Sequence, residues 1–270
     1  MREGVRFTSS STLVARALEE LATGPMPSGE LARRVLGVRT GPADVAERIL
    51  RELLEGERRV ERDRSGRWRL AEERRTSGPL EALDYVVVDV ETTGASPARG
   101  ARVTEIAAVE VRDGRITDEF SSLVDPGIPI PPWISRLTGI TDDMVADAPP
   151  FGEIAGLVRE RLEGRVFVAH NASFDWRFVT AEMRRASSLL PAGPKLCTLR
   201  LARRALPGLP RKGLDAVSEH YGIEIEGRHR AAGDAIATAV VLLRLLEEVD
   251  RQGVSEWDTL QDWLSGRHPG

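Results

Sequence analysis

Apolar positions in the first 54 residues recur with the spacing of α-helices. Three helices are predicted, over residues 11–21, from an N-cap at Ser28 to Leu36, and from Gly41-Pro42 onward. The third helix is expected to bury one stripe, formed by Val45, Ile49, Leu50, Leu53 and Leu54. Residues 59–62 and 67–70 then have the composition of two strands, joined by a turn at residues 63–66.

The order of these elements resembles a winged helix, so residues 1–75 are expected to form a small α+β domain. Its basic residues lie on the third helix and on the hairpin: Arg48, Arg51, Arg59, Arg62, Arg64, Arg67 and Arg69. Basic side chains in these positions can neutralise DNA phosphates. The alternative is a module that binds another protein or covers the second domain. In that case the arginines would pair with Glu47, Glu52, Glu55, Glu57 and Glu61.

A polar linker over residues 76–83 leads into a second pattern, in which apolar strands come first and helices follow. Strands are predicted over residues 85–90, 103–111 and 116–124, joined by two short turns as an antiparallel meander. Proline-rich residues 126–132 are expected to be irregular. A strand over residues 166–169 is then predicted, together with helices over residues 151–162, 172–185, 198–205, 214–221 and 231–249. Residues 84–250 are thus expected to form an α/β domain, a mixed sheet flanked by helices.

The C-terminal tail, residues 251–270, carries apolar residues at helical spacing: Trp257, Leu260, Trp263 and Leu264. A short helix over residues 255–264 that packs on the second domain is expected. The same stripe could instead bind a partner.

Two carboxylates follow the first apolar strand of the second domain. Side chains of a strand alternate between its faces, so Asp89 and Glu91 should project side by side. Adjacent anions at the end of an apolar strand repel each other unless a cation neutralises them, and a divalent metal ion does this well. Residues 171–175, after a second strand, and residues 229–234, at the start of a long helix, add two more acids and a histidine.

These blocks, D-x-E, N-x-x-F-D and H-x-x-x-x-D, resemble in order and spacing the three motifs of the DEDDh (DnaQ-like) family of 3′-to-5′ exonucleases. That family includes the proofreading epsilon subunit of bacterial DNA polymerase III. Residues 137–141 also resemble a turn of the family, and the resemblance covers roughly residues 84–249. It implies a ribonuclease H-like fold and hydrolysis of DNA from the 3′ end to nucleoside monophosphates. Two divalent ions, Mg²⁺ or Mn²⁺, would be the cofactors.

The resemblance also implies roles for the acidic residues. Asp89, Glu91, Asp175 and Asp234 would be the metal ligands, and Asp89 is the best candidate to bridge both ions. Glu91 and Asp234 would complete the coordination of the first ion, while Asp175 would hold a water ligand of the second ion. Four carboxylates suit two hard cations that share a substrate phosphate.

His229 is the candidate general base, because an imidazole with its ordinary pKa of about 6.5 accepts a proton at neutral pH. The residues that resemble those receiving the terminal nucleotide are Thr92, Thr93, Leu137, Asn171 and Phe174. Asn171 is also expected to cap the helix that carries Asp175. Leu137 and Phe174 could equally be core residues, and His170 is interpreted as mainly structural.

Composition fits an expected place in the cytoplasm. The chain has 270 residues, of which 30% are charged and 41% hydrophobic, as in ordinary globular proteins. No apolar run approaches the roughly 20 residues that span a bilayer, and no signal peptide is evident, so no membrane partner is expected. The single cysteine, Cys197, excludes an intrachain disulfide and a cysteine-rich zinc site and is interpreted as a packing residue.

Charge is distributed unevenly. The net charge is −4, but residues 1–80 have three more basic than acidic residues, and the remainder has seven more acidic than basic ones. This asymmetry hints at a basic accessory module beside an acidic, metal-binding one.

Nucleic acid is therefore the expected partner, a DNA 3′ end first and RNA as the alternative, with a polymerase or repair protein as a further partner. An exoribonuclease similar to ribonuclease T or oligoribonuclease would use the same acids, since sugar discrimination depends on contacts near the 2′ carbon. A non-catalytic module that tethers a polymerase is the alternative from another class. The intact set of four acids and one histidine disfavours it.

Overall fold

The computed structural model describes residues 9–21, 23–37, 43–54, 60–63, 65–70, 78–186, 190 and 193–266. The chain divides into two compact units, Met1–Glu73 and Arg74–Gly270. The limits of the four segments expected from the sequence remain predictions.

The first unit contains three helices and a hairpin: α1 (Ser9–Leu21), α2 (Ser28–Leu36), α3 (Ala43–Leu54), β1 (Val60–Arg62) and β2 (Trp68–Leu70). β1 and β2 pair antiparallel. Asp63 closes their turn, because its Oδ1 accepts hydrogen bonds from the backbone N–H of Ser65 and of Arg67 at 2.9 and 3.0 Å. The backbones of Met26 and Trp68 bond to each other in both directions, which ties the segment after α1 to the hairpin.

The buried stripe of α3 differs from the prediction. Ala46, Leu50 and Leu54 are buried, whereas Val45 and Ile49 are 37% and 45% exposed. α3 packs against α2 and α1, and only the positions that point between those helices are covered. The apolar content of α3 is therefore wider than its buried face.

Three arginines of the hairpin have partners within the first unit: Arg67 with Asp63 at 3.0 Å, Arg69 with Glu61 at 2.5 Å, and Arg62 stacked 4.7 Å from the centre of the Trp68 ring. Arg48 and Arg51 on α3 are exposed, and Arg59 and Arg64 lie outside the described residues. Pairing of this kind favours the alternative reading for the hairpin. The winged-helix assignment and its role in DNA binding stay predictions.

The second unit contains five strands and eight α-helices in its described part: β3 (Tyr85–Thr92), β4 (Val103–Arg112), β5 (Arg115–Leu123), α4 (Pro132–Thr138), α5 (Asp142–Val145), α6 (Phe151–Leu162), β6 (Val166–Ala169), α7 (Ala172–Ala186), β7 (Lys195–Cys197), α8 (Thr198–Ala205), α9 (Leu214–Tyr221), α10 (Ala231–Arg251) and α11 (Trp257–Ser265). The sheet order is β5-β4-β3-β6-β7. β3, β4 and β5 pair antiparallel, while β6 and β7 are parallel to β3. The predicted mixed sheet flanked by helices is confirmed.

Strand β3 lies at the centre of the sheet and separates two cores. Its even positions, such as Val86 and Val88, pack with α6 and α7, whereas its odd positions Tyr85 and Val87 pack with α8 to α11. Because side chains alternate along a strand, Asp89 and Glu91 continue the odd face. Both carboxylates therefore lie on the α10 side of the sheet.

Two local predictions for the second unit are wrong, and one short strand was not predicted. The first turn of the meander is a loop over residues 93–102. The proline-rich segment ends in α4, because a proline in the first helical turn lacks only an N–H that has no partner there. β7 had no sequence signal, since a three-residue strand is too short to show a period.

The C-terminal helix packs on the core of the second unit, as expected. Trp257, Leu260 and Trp263 are buried in the core that α10 shares with the sheet. Cys197, at the end of β7, packs against the opposite core. In the described part of the chain, no helix is both long and apolar enough to cross a membrane.

Candidate active site

Three of the predicted acids meet at the end of β3. One ligand atom each from Asp89, Glu91 and Asp234 lies within 4.8 Å of the others. Asp89 and Glu91 come from the odd face of β3, and Asp234 comes from the first turn of α10, which packs on that face. The cluster therefore results from one strand face meeting one helix start.

The start of α10 is fixed by an ion pair that the sequence motifs did not indicate. Arg230 donates to both carboxylate oxygens of Glu105 on β4, at 3.0 and 2.7 Å, and the Ala231 N–H donates to the same carboxylate at 2.9 Å. Glu105 is buried, so this charge-assisted contact sets the position of the helix. The available signal was an acid, Glu105, directly before the apolar run of residues 106–109 on β4.

Gly233 is required where α10 begins. A Cβ at this position would lie 1.7 Å from the backbone oxygen of Glu226, so no other residue fits without moving the preceding loop. The close approach holds that loop, which carries His229, against the helix that carries Asp234.

Asp175 reaches the cluster from the other side of the sheet. It lies in the first turn of α7, which packs on the even face of β3, and its Oδ1 accepts a hydrogen bond from the Val90 N–H at 3.3 Å. α7 is anchored by buried Glu182, which accepts two hydrogen bonds from Arg102 at 2.7 and 3.0 Å. The fourth acid is thus placed beside the end of β3 by a separate helix.

Burial and mutual repulsion disfavour the charged forms of these acids. Burial raises the pKa of Asp89 well above its usual range, and the charges of Asp175 and Asp234 raise it further. Burial and the Asp89 charge raise the pKa of Glu91 to about 8, and burial raises the pKa of Asp175 to about 8. The pKa of Asp234 is raised by burial, although the positive charge of Arg228 opposes this.

The donor set fits a divalent cation. All four groups are carboxylates, which hard cations prefer, and they crowd one another in a way that a cation would relieve. Buried Asp234 Oδ1 has no hydrogen-bond partner among the described residues. These residues are therefore compatible with a metal site.

Without metal ions, the folded protein should lose stability as the pH rises between about 4 and about 8. Between these values the folded acids, whose pKa values are raised, still hold protons that the unfolded chain has released. Stability that is present below the unfolded pKa is therefore lost as the pH passes through the folded one. In EDTA, the melting temperature should fall by about 5 °C or more from roughly pH 5.5 to pH 8.5. Mn²⁺ should reverse the loss at the higher pH, and a melting temperature that stays level in EDTA would contradict the raised pKa values.

Arg228 is an internal cation at the edge of the cluster. Its guanidinium donates to Asp234 Oδ2 and to both carboxylate oxygens of Asp215, the latter at 2.5 and 3.3 Å. The same group lies 3.2 Å from His229 Nδ1. Arg228 therefore pairs with the Asp234 carboxylate, which a metal ion at this site would need as a ligand.

Arg228→Gln should raise the affinity for Mn²⁺ severalfold, because it removes a positive charge that competes for Asp234 and repels an incoming cation. Isothermal titration calorimetry on the full chain measures this directly. Arg244→Gln is the matched control, since Arg244 is exposed and pairs with Glu247 on the same helix, α10. Weaker Mn²⁺ binding by Arg228→Gln would instead mean that Arg228 is needed to orient Asp234.

His229 and Asn171 share an unusual backbone conformation. Among the non-glycine residues described, only these two and Asp113 have positive φ angles, 64° for His229 and 78° for Asn171. Such conformations cost energy and occur often at functional sites. His229 also donates its backbone N–H to Asp234 Oδ2 at 3.2 Å, so the histidine and the acid share one turn.

The predicted cap by the Asn171 side chain is wrong, because the backbone carbonyl of Asn171 takes its place. The Asn171 carbonyl accepts the Phe174 N–H at 2.8 Å, whereas among the described residues its side-chain Oδ1 accepts a hydrogen bond from the Ser173 hydroxyl alone, at 3.3 Å. With positive φ, Asn171 lies outside the extended conformation of an N-cap residue. Its exposed amide remains available to a ligand.

The two threonines after Glu91 are engaged in loop closure. Thr92 donates to the Gly94 carbonyl at 2.8 Å, and the Thr93 hydroxyl accepts the Arg102 N–H at 2.9 Å. Both are buried, so their hydroxyls shape the loop over residues 93–102. Substrate contact by these two residues remains a prediction.

The other candidate substrate residues differ in exposure. Leu137 on α4 is 49% exposed and is not a core residue, whereas Phe174 is partly buried and packs against Phe178. His170 bonds through Nδ1 to the Thr198 hydroxyl at 3.0 Å, and burial lowers its pKa to about 4. A neutral, bonded His170 agrees with a structural role.

A cavity of about 700 Å³ lies at the opposite end of β3. It is lined by Tyr85 at the start of that strand, by Val111 at the end of β4, and by the outer face of α10. The acidic cluster lies at the other end of β3, so this cavity is not part of the site.

Comparison with known proteins places the site within one family. Residues 86–242 match the RNase T family model, described as Exonuclease. The DNA polymerase III epsilon subunit of Aquifex aeolicus is 35% identical over 184 residues, which cover 68% of this chain and 91% of that protein. The 3′-5′ exonuclease DinG of Bacillus subtilis is 41% identical over 165 residues, which cover 61% of this chain but 18% of that protein.

Solved structures agree with these matches. Exonuclease X in complex with 5′ overhanging duplex DNA is 29% identical with a TM-score of 0.53, covering 67% of this chain and 99% of that one. Escherichia coli exonuclease I in complex with a dT13 oligonucleotide is 18% identical with a TM-score of 0.56, and the match covers 63% of this chain and 42% of that one. At this identity the likeness shows the shared fold alone. The chain spans only 12% to 30% of the length of several curated relatives that it matches. The predicted ribonuclease H-like fold is confirmed.

Proposed function

The chain belongs to this exonuclease family, and we propose that it is a metal-dependent exonuclease that removes nucleotides from the 3′ end of DNA. The observation that carries the proposal is the meeting of Asp89, Glu91 and Asp234 within 4.8 Å, with Asp175 beside them and His229 on the adjoining turn. Nucleoside monophosphates would be the products.

Two ions, Mg²⁺ or Mn²⁺, would be held by the four carboxylates, with Asp89 as the shared ligand, Glu91 and Asp234 on one side and Asp175 on the other. Bound there, such ions supply an activated water and charge stabilisation for in-line phosphoryl transfer. The protein contributes a rigid carboxylate frame, because β3, α7 and α10 are each fixed by buried contacts.

His229 would act as the general base, taking the proton from the attacking water through its imidazole. Its position at the start of α10 supports the role, since the same turn places Asp234. Arg228 contacts both residues and would orient the imidazole. Leu137, Asn171 and Phe174 would receive the terminal nucleotide.

DNA is the proposed substrate because the relatives named above include a DNA polymerase subunit and a nuclease in complex with duplex DNA. An exoribonuclease remains the second candidate, since nothing in the carboxylate set distinguishes the sugars. A polymerase or repair complex is the proposed protein partner. The first unit, with exposed Arg48 and Arg51, would add contacts to duplex phosphates.

The direct test incubates purified full-length protein with 5′-labelled single-stranded DNA, mismatched duplex DNA and RNA, with Mg²⁺, with Mn²⁺ and with EDTA. A ladder that shortens from the 3′ end, only when metal is present, is expected for DNA. Preferential shortening of RNA would mean that RNA, and not DNA, is the substrate. Cleavage that persists in EDTA would reject the metal-dependent mechanism.

A further inference from the structure

The guanidinium of Arg228 is fixed along one edge by Asp215. Its Nε donates to Asp215 Oδ1 at 2.5 Å and its Nη2 donates to Oδ2 at 3.3 Å, a paired geometry that suits a planar guanidinium. Asp215 lies in the first turn of α9, and the hydrogen bond from Arg228 lowers the pKa of its carboxyl. The pair is therefore charged at neutral pH and holds the guanidinium in one orientation.

The other edge of the guanidinium faces the acidic cluster. Nη1 of Arg228 donates to Asp234 Oδ2 and lies 3.2 Å from His229 Nδ1. This nitrogen carries two N–H bonds, so it can serve both groups at once. Arg228 thus touches a proposed metal ligand and the proposed general base through one nitrogen.

Exposure places Arg228 on the solvent side of Asp234. The side chain of Asp234 is 5% exposed, that of Arg228 is 32% exposed and that of Asp215 is 72% exposed. The three groups therefore form a line from the cluster to the surface. A ligand that reaches the cluster along this line meets Arg228 first.

The contact between Arg228 and Asp234 is the one that the proposed chemistry removes. A metal ion at Asp234 competes for the carboxylate that Arg228 contacts, and two divalent ions would balance the charge of the four acids. The N–H group that loses Asp234 needs another acceptor, because a partly buried charged donor without a partner is costly. The substrate brings a phosphate to this place, since its oxygens would bind the ions and its phosphorus would be attacked by the water beside His229.

We propose that Arg228 binds a phosphate oxygen of the substrate, exchanging the Asp234 carboxylate for that phosphate when metal ions bind, while Asp215 keeps the guanidinium in position. The inference rests on the proposed nuclease function and adds a substrate-binding residue to it. A guanidinium anchored along one edge presents fixed N–H groups to a phosphate, which is a preferred partner of arginine. The phosphate is common to DNA and RNA, so the contact holds for either sugar.

A purely structural role of Arg228 predicts a different response to its removal. If Arg228 only oriented Asp234, its loss would weaken the binding of metal ions and of phosphate together. If Arg228 exchanges Asp234 for a phosphate, its loss removes a competitor of the metal ion and a ligand of the phosphate. Metal binding then becomes stronger and phosphate binding weaker, and these opposite signs separate the two roles.

The test uses the product of the proposed reaction, a nucleoside monophosphate, which has no phosphodiester bond left to cleave. Full-length protein in saturating Mn²⁺ is titrated by calorimetry with dTMP and, separately, with UMP. Arg228→Gln should weaken the binding of at least one of them about tenfold, the usual scale of a charge-assisted hydrogen bond. Thymidine and uridine, which lack the phosphate, should bind the parent and the variant equally. Arg244→Gln, at an exposed arginine of α10, is the matched control and should behave as the parent does with every ligand.

Two further measurements examine the anchor and the exchange. Asp215→Asn should weaken monophosphate binding severalfold without strengthening Mn²⁺ binding, because the guanidinium loses its anchor but keeps its charge. Asp215 is exposed, so this variant also serves if Arg228→Gln fails to fold. The monophosphate should raise the Mn²⁺ affinity of the parent by a larger factor than that of Arg228→Gln, since only in the parent does it draw Arg228 away from Asp234.

Equal monophosphate affinity of Arg228→Gln and the parent would overturn the proposal, as would a parent that binds neither monophosphate. A loss that appears equally with the nucleosides, or that accompanies an equal loss of Mn²⁺ affinity, would also overturn it. Failure of the nuclease proposal is distinguishable from these outcomes. In that case the parent would cleave no strand in Mg²⁺ or Mn²⁺, whereas the binding of monophosphates needs no chemistry and would still report on Arg228.

Discussion

Asp89→Asn should reduce hydrolysis about a thousandfold or more, because Asp89 is the carboxylate proposed to serve both ions, and ions of this kind supply several kcal/mol of charge stabilisation. Asp89 lies in the acidic cluster with Glu91 and Asp234, and its charge also interacts with that of Asp175. Release of mononucleotides from labelled single-stranded DNA in Mg²⁺ gives the rate.

The same substitution should leave the fold intact. An amide of equal size removes one of the repelling acids, so in EDTA near pH 8 the melting temperature should hold or rise. Asp147→Asn, at an exposed carboxylate outside the cluster, should change neither rate nor stability. If Asp89→Asn turned over at the parental rate, the assignment of the site would fail. A large drop in melting temperature would point to unfolding as the cause of lost activity.

His229→Ala should slow hydrolysis by roughly a hundredfold or more at neutral pH, the usual weight of a general base. The acidic limb of the rate profile should flatten as well, because a general base that already holds a proton cannot accept one from the attacking water. The measurement is the rate against pH in saturating metal for both proteins. His229 bonds through its backbone to Asp234, so removal of the side chain leaves that hydrogen bond in place.

His220→Ala is the matched control, since His220 is exposed at the end of α9 and contacts Tyr221 rather than the cluster. It should retain the parental rate and profile. If His229→Ala kept both the rate and an acidic limb with the same midpoint, another group would be the base.

The sequence by itself determined the parts of the site that depend on local periodicity. Asp89 and Glu91 had to share a face, because alternation along a strand needs no tertiary information. The spacing of His229 to Asp234, at the start of an apolar helix, likewise fixed both residues near one helix end. Family motifs in the right order then indicated the fold and the chemistry.

The spacing of apolar residues was less reliable for deciding which of them are buried. The sequence placed Val45 and Ile49 in the core of the first unit, yet both are exposed. It left Leu137 undecided between core and substrate surface and gave no indication for Trp133, because the proline-rich segment showed no sign of the short helix α4 that carries both residues. Apolar residues say what can be buried, and only the neighbouring elements decide what is buried.

Tertiary structure alone decided how the separate motifs meet. Asp175 reaches the cluster from the opposite face of the sheet, and its hydrogen bond to Val90 joins residues 85 positions apart. Arg230 and Glu105, which are 125 positions apart, fix the start of α10 and with it Asp234. Such contacts have no period and no local signature, since they depend on which strand lies beside which helix. The sequence therefore determined the chemical groups and their local faces, while long-range packing determined the distances between them.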